Sequence, residues 1–203
     1  MIADKRLRLV KNENGINYYL FKPSLFSLCY NDKDFKHKDE PLHRFSLSHR
    51  LHMIYYIMAI RGGYSILYLE QDGEILSYII FVKANNKIIR NCEENDYYTV
   101  FLWTYPEHRG KGLATLMSKA MLQDLNINYN HFYKTMSKEN IPSIRVAEKC
   151  GGVIEGDCVK TKFLHTIQKV DIGQRYLYVF LQKQTALKEE NDENTICNHR
   201  GAY

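Results

Sequence analysis

The sequence predicts an α+β fold built around one core. Runs of β-branched and aromatic residues alternate with segments whose apolar residues recur at helical spacing, a pattern typical of mixed strands and helices. An Asp-Gly pair between two strand-like runs adds an antiparallel hairpin. A chain of 203 residues is expected to bury roughly 70% of the surface that its unfolded form exposes, which is enough for a self-sufficient domain.

The strands are predicted where β-branched and aromatic residues cluster between turn residues. The segment Tyr97–Tyr105 has the strongest strand character, and the two runs around Asp72-Gly73 form the hairpin. The remaining predicted strands are shorter and lie on both sides of these. The full set is Asn17–Lys22, Tyr64–Glu70, Glu74–Val82, Tyr97–Tyr105, His131–Met136, Val153–Cys158, Lys162–Ile167 and Arg175–Gln182.

Three helices are predicted between these strands. The first spans Ser46–Ile60 and carries an apolar stripe, and the second runs from Leu113 to Leu125 at helical spacing. The third spans Asn140–Cys150, with Asn140 as N-cap, Pro142 in its first turn and Gly151 just past its end.

One domain with a tail is the expected organisation. Residues 1–186 hold every predicted strand and helix, whereas residues 187–203 are polar and aperiodic and are expected to be disordered. Residues 30–41 alternate in charge and are expected to form a solvated loop or a short irregular helix.

Composition excludes several classes of protein. The net charge of +5 comes from 28 basic and 23 acidic residues that are interspersed, so no basic stripe for nucleic acid is present. No apolar run approaches the roughly 20 residues of a membrane span, and the N-terminus lacks the apolar region of a secretion signal. The five cysteines form no CxxC pair, which favours free thiols in a reducing cytoplasm and no metal site.

A glycine-rich turn separates the strand ending at Tyr105 from the helix starting at Leu113. A helix start offers unpaired N–H groups and a positive dipole end to an anion, and glycine lets a phosphate approach the backbone closely. Arg109 and Lys111 add positive charge. The P-loop pattern is absent, and the dinucleotide pattern fails at Thr115. A tight turn with solvated basic residues is the alternative.

Two motifs carry a family resemblance. Arg109, Gly112 and Ala114 fit the pattern [Gln/Arg]-x-x-Gly-x-[Gly/Ala], which here follows a strand and a proline turn. The helix that starts at Asn140 fits the pattern N-x-x-S-x-x-x-x-E-K-x-G through Gly151. The chain therefore resembles the GNAT superfamily of acetyl-CoA-dependent N-acetyltransferases, over about residues 17–183, and the second motif is similar to that of ribosomal-protein alanine acetyltransferases.

The resemblance implies a mixed, mostly antiparallel central sheet flanked by helices, with acetyl-CoA as cosubstrate bound where the strand, the glycine turn and the helix meet. Backbone groups near Trp103 and Thr104 would pair with the pantetheine arm, and a backbone amide there would face the thioester oxygen. Asn140 would hydrogen-bond the pantetheine region, unless it serves only as a helix cap. The backbone N–H groups expected to hold the pyrophosphate are those of Arg109, Gly110, Lys111, Gly112, Leu113 and Ala114.

The catalytic groups match the family less well. Many relatives carry a glutamate where this chain has Tyr98, and a tyrosine where it has Ala147. Asp96 shares a strand face with Tyr98 and is the first candidate for a base that acts through water, with solvation of a strand end as the alternative. Ser143 matches a serine that is proposed, in relatives with this motif, to donate a proton or a hydrogen bond to the thiolate. The alternative is that Ser143 only caps the first turn of the helix.

The expected function is N-acetyl transfer from acetyl-CoA to a primary amine, by direct attack in a ternary complex. The acceptor is expected to be a small molecule: an amino sugar, a polyamine or an amino-acid derivative. A protein N-terminus or lysine is the second interpretation, and an inactive domain that only binds acetyl-CoA is the third. We expect a cytoplasmic monomer or homodimer that binds neither nucleic acid nor membrane.

Overall fold

A computed structural model describes residues 7–23, 63–84, 93–161 and 166–181. Within these ranges the chain forms nine strands and two α-helices, and a short 3₁₀ turn at Pro106–His108 precedes the first helix. The helices are α1 (Leu113–Gln123) and α2 (Ile141–Lys149). The strands are β1 (Leu7–Glu13), β2 (Ile16–Phe21), β3 (Ser65–Gln71), β4 (Glu74–Lys83), β5 (Tyr97–Thr104), β6 (His131–Ser137), β7 (Val153–Lys160), β8 (Ile167–Val170) and β9 (Arg175–Leu181).

All nine strands belong to one sheet with the order β1-β2-β3-β4-β5-β6-β9-β7-β8. Every neighbouring pair is antiparallel except β5 and β6, which run parallel with α1 in the connection between them. A parallel pair needs such a crossover, whereas antiparallel neighbours can be joined by short turns. The predicted mixed, mostly antiparallel sheet flanked by helices is confirmed.

Two hairpin turns take the backbone through the left-handed region. Asp72 and Gly73, between β3 and β4, have φ values of +53° and +79°. Asn14 and Gly15, between β1 and β2, have φ values of +52° and +78°. Both dipeptides fit two-residue hairpin turns, in which both central residues have positive φ. The hairpin at Asp72-Gly73 was predicted, whereas β1 was not, although the Asn14-Gly15 pair is the signal of a hairpin between β1 and β2.

The sheet has a buried core on each face. On the helix face, α1 and α2 cover alternate strand residues such as Leu67, Ile79 and Phe132. On the opposite face, tyrosines and aliphatic residues including Tyr98, Tyr133 and Leu177 pack together. This alternation follows from the two-residue period of a strand, which sends successive side chains to opposite faces. A residue's position in its strand therefore decides which side of the sheet it serves.

The other predicted elements have mixed outcomes. The third predicted helix is confirmed as α2, and Asn140 is its N-cap. The predicted strand at Lys162–Ile167 falls mostly outside the described residues, and the strand found in that region is β8 at Ile167–Val170. The predicted helix at Ser46–Ile60, the loop at residues 30–41 and the tail at residues 187–203 also lie outside the described residues. No helix in the described ranges combines the length and apolar character needed to cross a membrane.

Candidate functional site

A cleft opens between β5 and β6. The two strands pair only from Tyr97 to Thr99 on β5, yet β5 continues to Thr104 and β6 to Ser137. A register shift in the β4–β5 ladder leaves Val100 as an extra residue at the point where the parallel pairing stops. Beyond this point the edge of β5 that faces β6 pairs with none of the described strands. Its N–H and C=O groups can therefore pair with an added extended chain.

The segment after β5 is held against β4. The Tyr105 N–H donates to the Leu76 carbonyl at 3.2 Å, which extends the ladder by one residue. In the 3₁₀ turn that follows, His108 Nε2 lies 3.1 Å from a carboxylate oxygen of Glu74. The chain therefore leaves the sheet in a fixed direction, and this direction sets the position of the glycine turn.

The glycine turn presents unused backbone donors. Gly110 has φ +78° and Gly112, the N-cap of α1, has φ +77°, and no side chain caps the helix. The N–H groups from Gly110 to Ala114 donate to no acceptor in the described part of the chain. A Cβ built on either glycine would have no heavy atom within 4 Å. Unpaired N–H groups at the positive end of a helix form an anion site, and this one suits a diphosphate.

Arg109 is held in place beside this turn. Its Nε donates to the Thr104 carbonyl at 3.1 Å, and its guanidinium carbon lies 4.9 Å from the centre of the Trp103 ring. The side chain is exposed, and these contacts leave its two terminal amino groups available to an anion. The predicted coenzyme residues at the end of β5 and in the glycine turn thus form one continuous surface. The Arg109 N–H differs from the prediction, because it donates to the Pro106 carbonyl at 3.2 Å. The role of these residues in binding stays a prediction.

The start of α2 lies at the same edge of the sheet. Because β5 and β6 run parallel, their carboxyl ends meet at one edge, and α1 and α2 both begin there. The Asn140 side-chain oxygen accepts the Ser143 N–H at 3.2 Å, which leaves the Asn140 amino group and the Ser143 hydroxyl outside the cap. The structure therefore brings both predicted residues to the end of the sheet that carries the glycine turn.

Tyr98 marks the closed end of the cleft. It is 1% exposed, and its hydroxyl lies 2.8 Å from the Thr135 hydroxyl, on the first β6 residue beyond the parallel pairing. Burial raises the pKa of Tyr98 to about 12. The phenol therefore stays protonated at neutral pH, so it can donate a hydrogen bond but cannot act as a base.

Asp96 is not brought together with the glycine turn. It precedes β5, roughly 26 Å along the strand from Thr104 at about 3.3 Å per residue. Its buried carboxylate accepts the N–H groups of Glu93 and His131 at 2.9 and 3.1 Å and lies 2.9 Å from His131 Nδ1. These contacts join the loop before β5 to the start of β6, a structural role. No contact supports the predicted role as base, which stays a prediction.

Three basic residues around the cleft were not among the predicted site residues. Lys134, on the helix face of β6, is buried, and this desolvation lowers its pKa to about 8. No described residue accepts a hydrogen bond from it. Arg175 and Lys160 lie on the opposite face. A lysine at a core position of the strand-like run HFYKTM was a visible signal for Lys134. No motif marked the other two.

The two cysteines in the described ranges, Cys150 and Cys158, are free thiols. Burial raises the pKa of both. Each therefore stays a neutral thiol at pH 7, as expected for a small buried apolar group. The sequence prediction of free thiols is confirmed for these two.

Comparisons with known proteins agree with the motifs. The profile of the acetyltransferase (GNAT) family matches residues 25–152. This range contains the glycine turn and the whole of the second motif. No curated protein matches the chain significantly.

Solved structures with similar folds include a spermidine N-acetyltransferase from Vibrio cholerae in complex with CoA and spermine. It is 19% identical, with a TM-score of 0.47 over 65% of this chain and 73% of that one. The aminoglycoside acetyltransferase AAC(6')-Ib with coenzyme A is 18% identical, with a TM-score of 0.47 over 61% and 69% of the two chains. An N-acetyltransferase from Staphylococcus aureus Mu50 is 18% identical, with a TM-score of 0.45 over 59% and 68%. Likenesses this distant carry no argument about the acceptor.

Proposed function

Because the chain belongs to the GNAT family of acetyltransferases, we propose that it transfers the acetyl group of acetyl-CoA to a primary amine of a small molecule. The observation that supports this most directly is the glycine turn. Five consecutive N–H groups, from Gly110 to Ala114, have no acceptor among the described residues and lie at the start of α1. Two glycines in the left-handed region and an uncapped helix start leave these N–H groups open to a bound anion.

The coenzyme would bind along two connected surfaces. The N–H groups of the glycine turn and the guanidinium of Arg109 would hold the pyrophosphate. The backbone groups of β5 near Trp103 and Thr104 that face the cleft would pair with the amides of the pantetheine arm as an added strand does. The Trp103 and Thr104 carbonyls already accept hydrogen bonds from Ser77 Oγ and Arg109 Nε. Asn140, whose amino group the cap does not use, would donate to the same arm.

Acetyl-CoA supplies an activated acyl group. The protein must bind the acceptor amine in its neutral form, stabilise the oxyanion of the tetrahedral intermediate and provide a proton for the departing thiolate. The neutral amine nitrogen forms a bond to the thioester carbonyl carbon, and the carbon–sulfur bond then breaks. The nitrogen releases one proton, and the departing thiolate takes up one to give the free thiol of CoA. A backbone N–H of β5 in the cleft would stabilise the oxyanion. The Ser143 hydroxyl would donate a hydrogen bond or a proton to the departing thiolate. An alkyl ammonium with a pKa near 10.4 must first lose its proton. Tyr98 cannot remove it, because its own pKa is about 12.

A protein acceptor is the second candidate. The helix motif from Asn140 to Gly151 favours it, because this motif is similar to that of ribosomal-protein alanine acetyltransferases. The segment expected to form much of the acceptor wall, residues 25–60, lies outside the described residues. Substrate profiling must therefore decide between the two acceptor classes.

The decisive experiment combines coenzyme binding with turnover. Acetyl-CoA should raise the melting temperature of the protein, and free thiol should appear when amino sugars, polyamines, amino acids or N-terminal peptides are added. Thermal stabilisation without thiol release for any amine would show a domain that only binds the coenzyme. No stabilisation at saturating acetyl-CoA would refute the proposed function. Thiol release with peptides alone would move the acceptor to the protein class.

A further inference from the structure

Arg175 and Lys160 form a basic pair on the face of the sheet opposite α1 and α2. Arg175 begins β9 and pairs with Ser137 on one side and with Cys158 on the other. Lys160 follows Cys158 by two residues on β7, so both side chains lie on the same face. Ser137 ends β6, so the basic pair lies at the carboxyl end of that strand, where the cleft opens.

The basic pair has no acidic partner in the described part of the chain. Arg175 makes one hydrogen bond, from Nη2 to the Thr135 carbonyl at 3.3 Å, and its Nε is buried without an acceptor. Lys160 is exposed and forms no ion pair with a described residue. The strand register places Arg175 and Lys160 at diagonal positions of the neighbouring strands β9 and β7. Desolvation and the charge of Arg175 lower the pKa of Lys160.

The neighbouring acids are engaged elsewhere. Asp157 lies 2.6 Å from the ammonium of Lys138 and accepts the Gly173 N–H at 2.8 Å. Glu155, earlier on β7, pairs with Lys169. Two like charges without a counter-charge repel each other, which lowers the free energy of unfolding and favours the neutral form of the lysine. An arrangement of this kind is typical of a site for an anion.

The basic pair is connected to the closed end of the cleft. Thr135 accepts the Arg175 hydrogen bond with its carbonyl, and its hydroxyl meets that of Tyr98. The charge of Arg175 also reaches Tyr98, because it offsets part of the increase in pKa that burial causes there. An acceptor bound by Arg175 would therefore lie next to the point where β5 and β6 separate.

We propose that Arg175 and Lys160 bind the carboxylate of the acceptor, so that the acceptor is an amino acid or another amine that carries a carboxylate. The proposal rests on the proposed acetyl transfer and narrows its substrate class. A guanidinium binds a carboxylate through paired hydrogen bonds. The same two cations would disfavour the ammonium form of the acceptor amine and help produce the neutral nucleophile. They would also repel a polyamine.

Matched probes test the charge of the carboxylate, and their rates are compared across pH because a carboxamide also lowers the pKa of the neighbouring amine. α-, β- and γ-amino acids are each assayed beside their own carboxamide, with spermidine as the polycation, and thiol release gives kcat/KM. We expect kcat/KM of the best acid to exceed that of its amide by at least about tenfold, because the amide loses the charged hydrogen bond that the carboxylate makes. Arg175→Gln should bring that ratio close to one. Calorimetric titration of the same acids into the CoA-bound protein gives a readout that does not depend on turnover.

Two further variants complete the test. Lys160→Gln removes the other charge from an exposed position, so it should reduce the acid preference even if Arg175→Gln fails to fold. Arg8→Gln, on the exposed surface of the edge strand β1, is the matched control and should retain the full preference. Equal rates for acid and amide, a preference unchanged in both basic-pair variants, or spermidine as the best acceptor would overturn the proposal. Absence of stabilisation by acetyl-CoA would instead refute the transfer reaction.

Discussion

Replacing Gly112 by alanine tests the assignment of the pyrophosphate to the glycine turn. Gly112 has φ +77°, and a Cβ there meets no heavy atom within 4 Å, so the substitution strains the backbone without a steric clash. A non-glycine residue in the left-handed region costs about 1–2 kcal/mol, partly offset by the lower entropy of the unfolded chain. We expect a net loss near 1 kcal/mol, or about 2–4 °C in melting temperature for a domain of this size.

The effect on coenzyme binding should exceed this strain. If phosphate oxygens approach the amides of Gly110 to Ala114, the new methyl group would occupy part of the space that they need. Loss of one charged hydrogen bond costs about 1.5–3 kcal/mol, and every 1.4 kcal/mol is about tenfold in the dissociation constant. The dissociation constant of acetyl-CoA, measured by calorimetry, should therefore rise by about tenfold or more in Gly112→Ala.

Two further variants separate strain from obstruction. Gly151→Ala imposes the same strain, at φ +81° and with no heavy atom within 4 Å, but it lies beyond the C-terminus of α2. It should lose similar stability and bind acetyl-CoA normally. Gly112→Asn should recover part of the stability, because asparagine tolerates this backbone region, but not the affinity. An unchanged dissociation constant in both Gly112 variants would refute the placement of the pyrophosphate.

Two other substitutions probe the site's chemistry and its buried charge. Ser143→Ala should lower kcat about tenfold or more and leave coenzyme affinity nearly unchanged, because the helix cap uses the Ser143 N–H and not its hydroxyl; an unaltered kcat in the thiol assay would remove Ser143 from the mechanism. Lys134→Met should raise the free energy of unfolding at pH 7. Burial lowers the pKa of Lys134 from 10.5 to about 8, so keeping the amine charged in the folded state costs free energy that methionine does not. At about 1.4 kcal/mol per pKa unit the gain is on the order of 3 kcal/mol. It should shrink as the pH rises from 8 to 10.5 in urea titrations, and exposed Lys119→Met should show no such trend.

Local patterns in the sequence were sufficient to predict much of the fold. The hairpin at Asp72-Gly73, the long strand Tyr97–Thr104 and the capped helix α2 each follow from short-range rules about turns, strand formers and caps. The strand β1 was missed because its residues, LRLVKNE, mix charged and apolar side chains, as suits an edge strand exposed along one face.

The candidate site divides in the same way. The glycine turn and the α2 cap are contiguous in sequence, so a motif could identify them. The contacts of Asp96 and the burial of Lys134 both depend on residues distant in the chain. The Asp96 carboxylate meets the N–H of His131, 35 residues away. The burial of Lys134 arises only when α1 and α2 cover the sheet. The local sign of that packing is a lysine at a core position of the strand-like run HFYKTM.

The parallel pairing of β5 and β6 explains why the site lies where it does. In an antiparallel pair the carboxyl end of one strand lies beside the amino end of the next, so two helices that follow neighbouring strands would start at opposite edges. Because β5 and β6 are parallel, α1 and α2 start at the same edge, and both present their positive ends there. The same two strands separate after Thr99, which leaves unpaired backbone beside those helix starts. One departure from antiparallel order therefore places two helix starts beside a strand edge, the arrangement on which the proposed binding of a nucleotide-linked pantetheine arm depends.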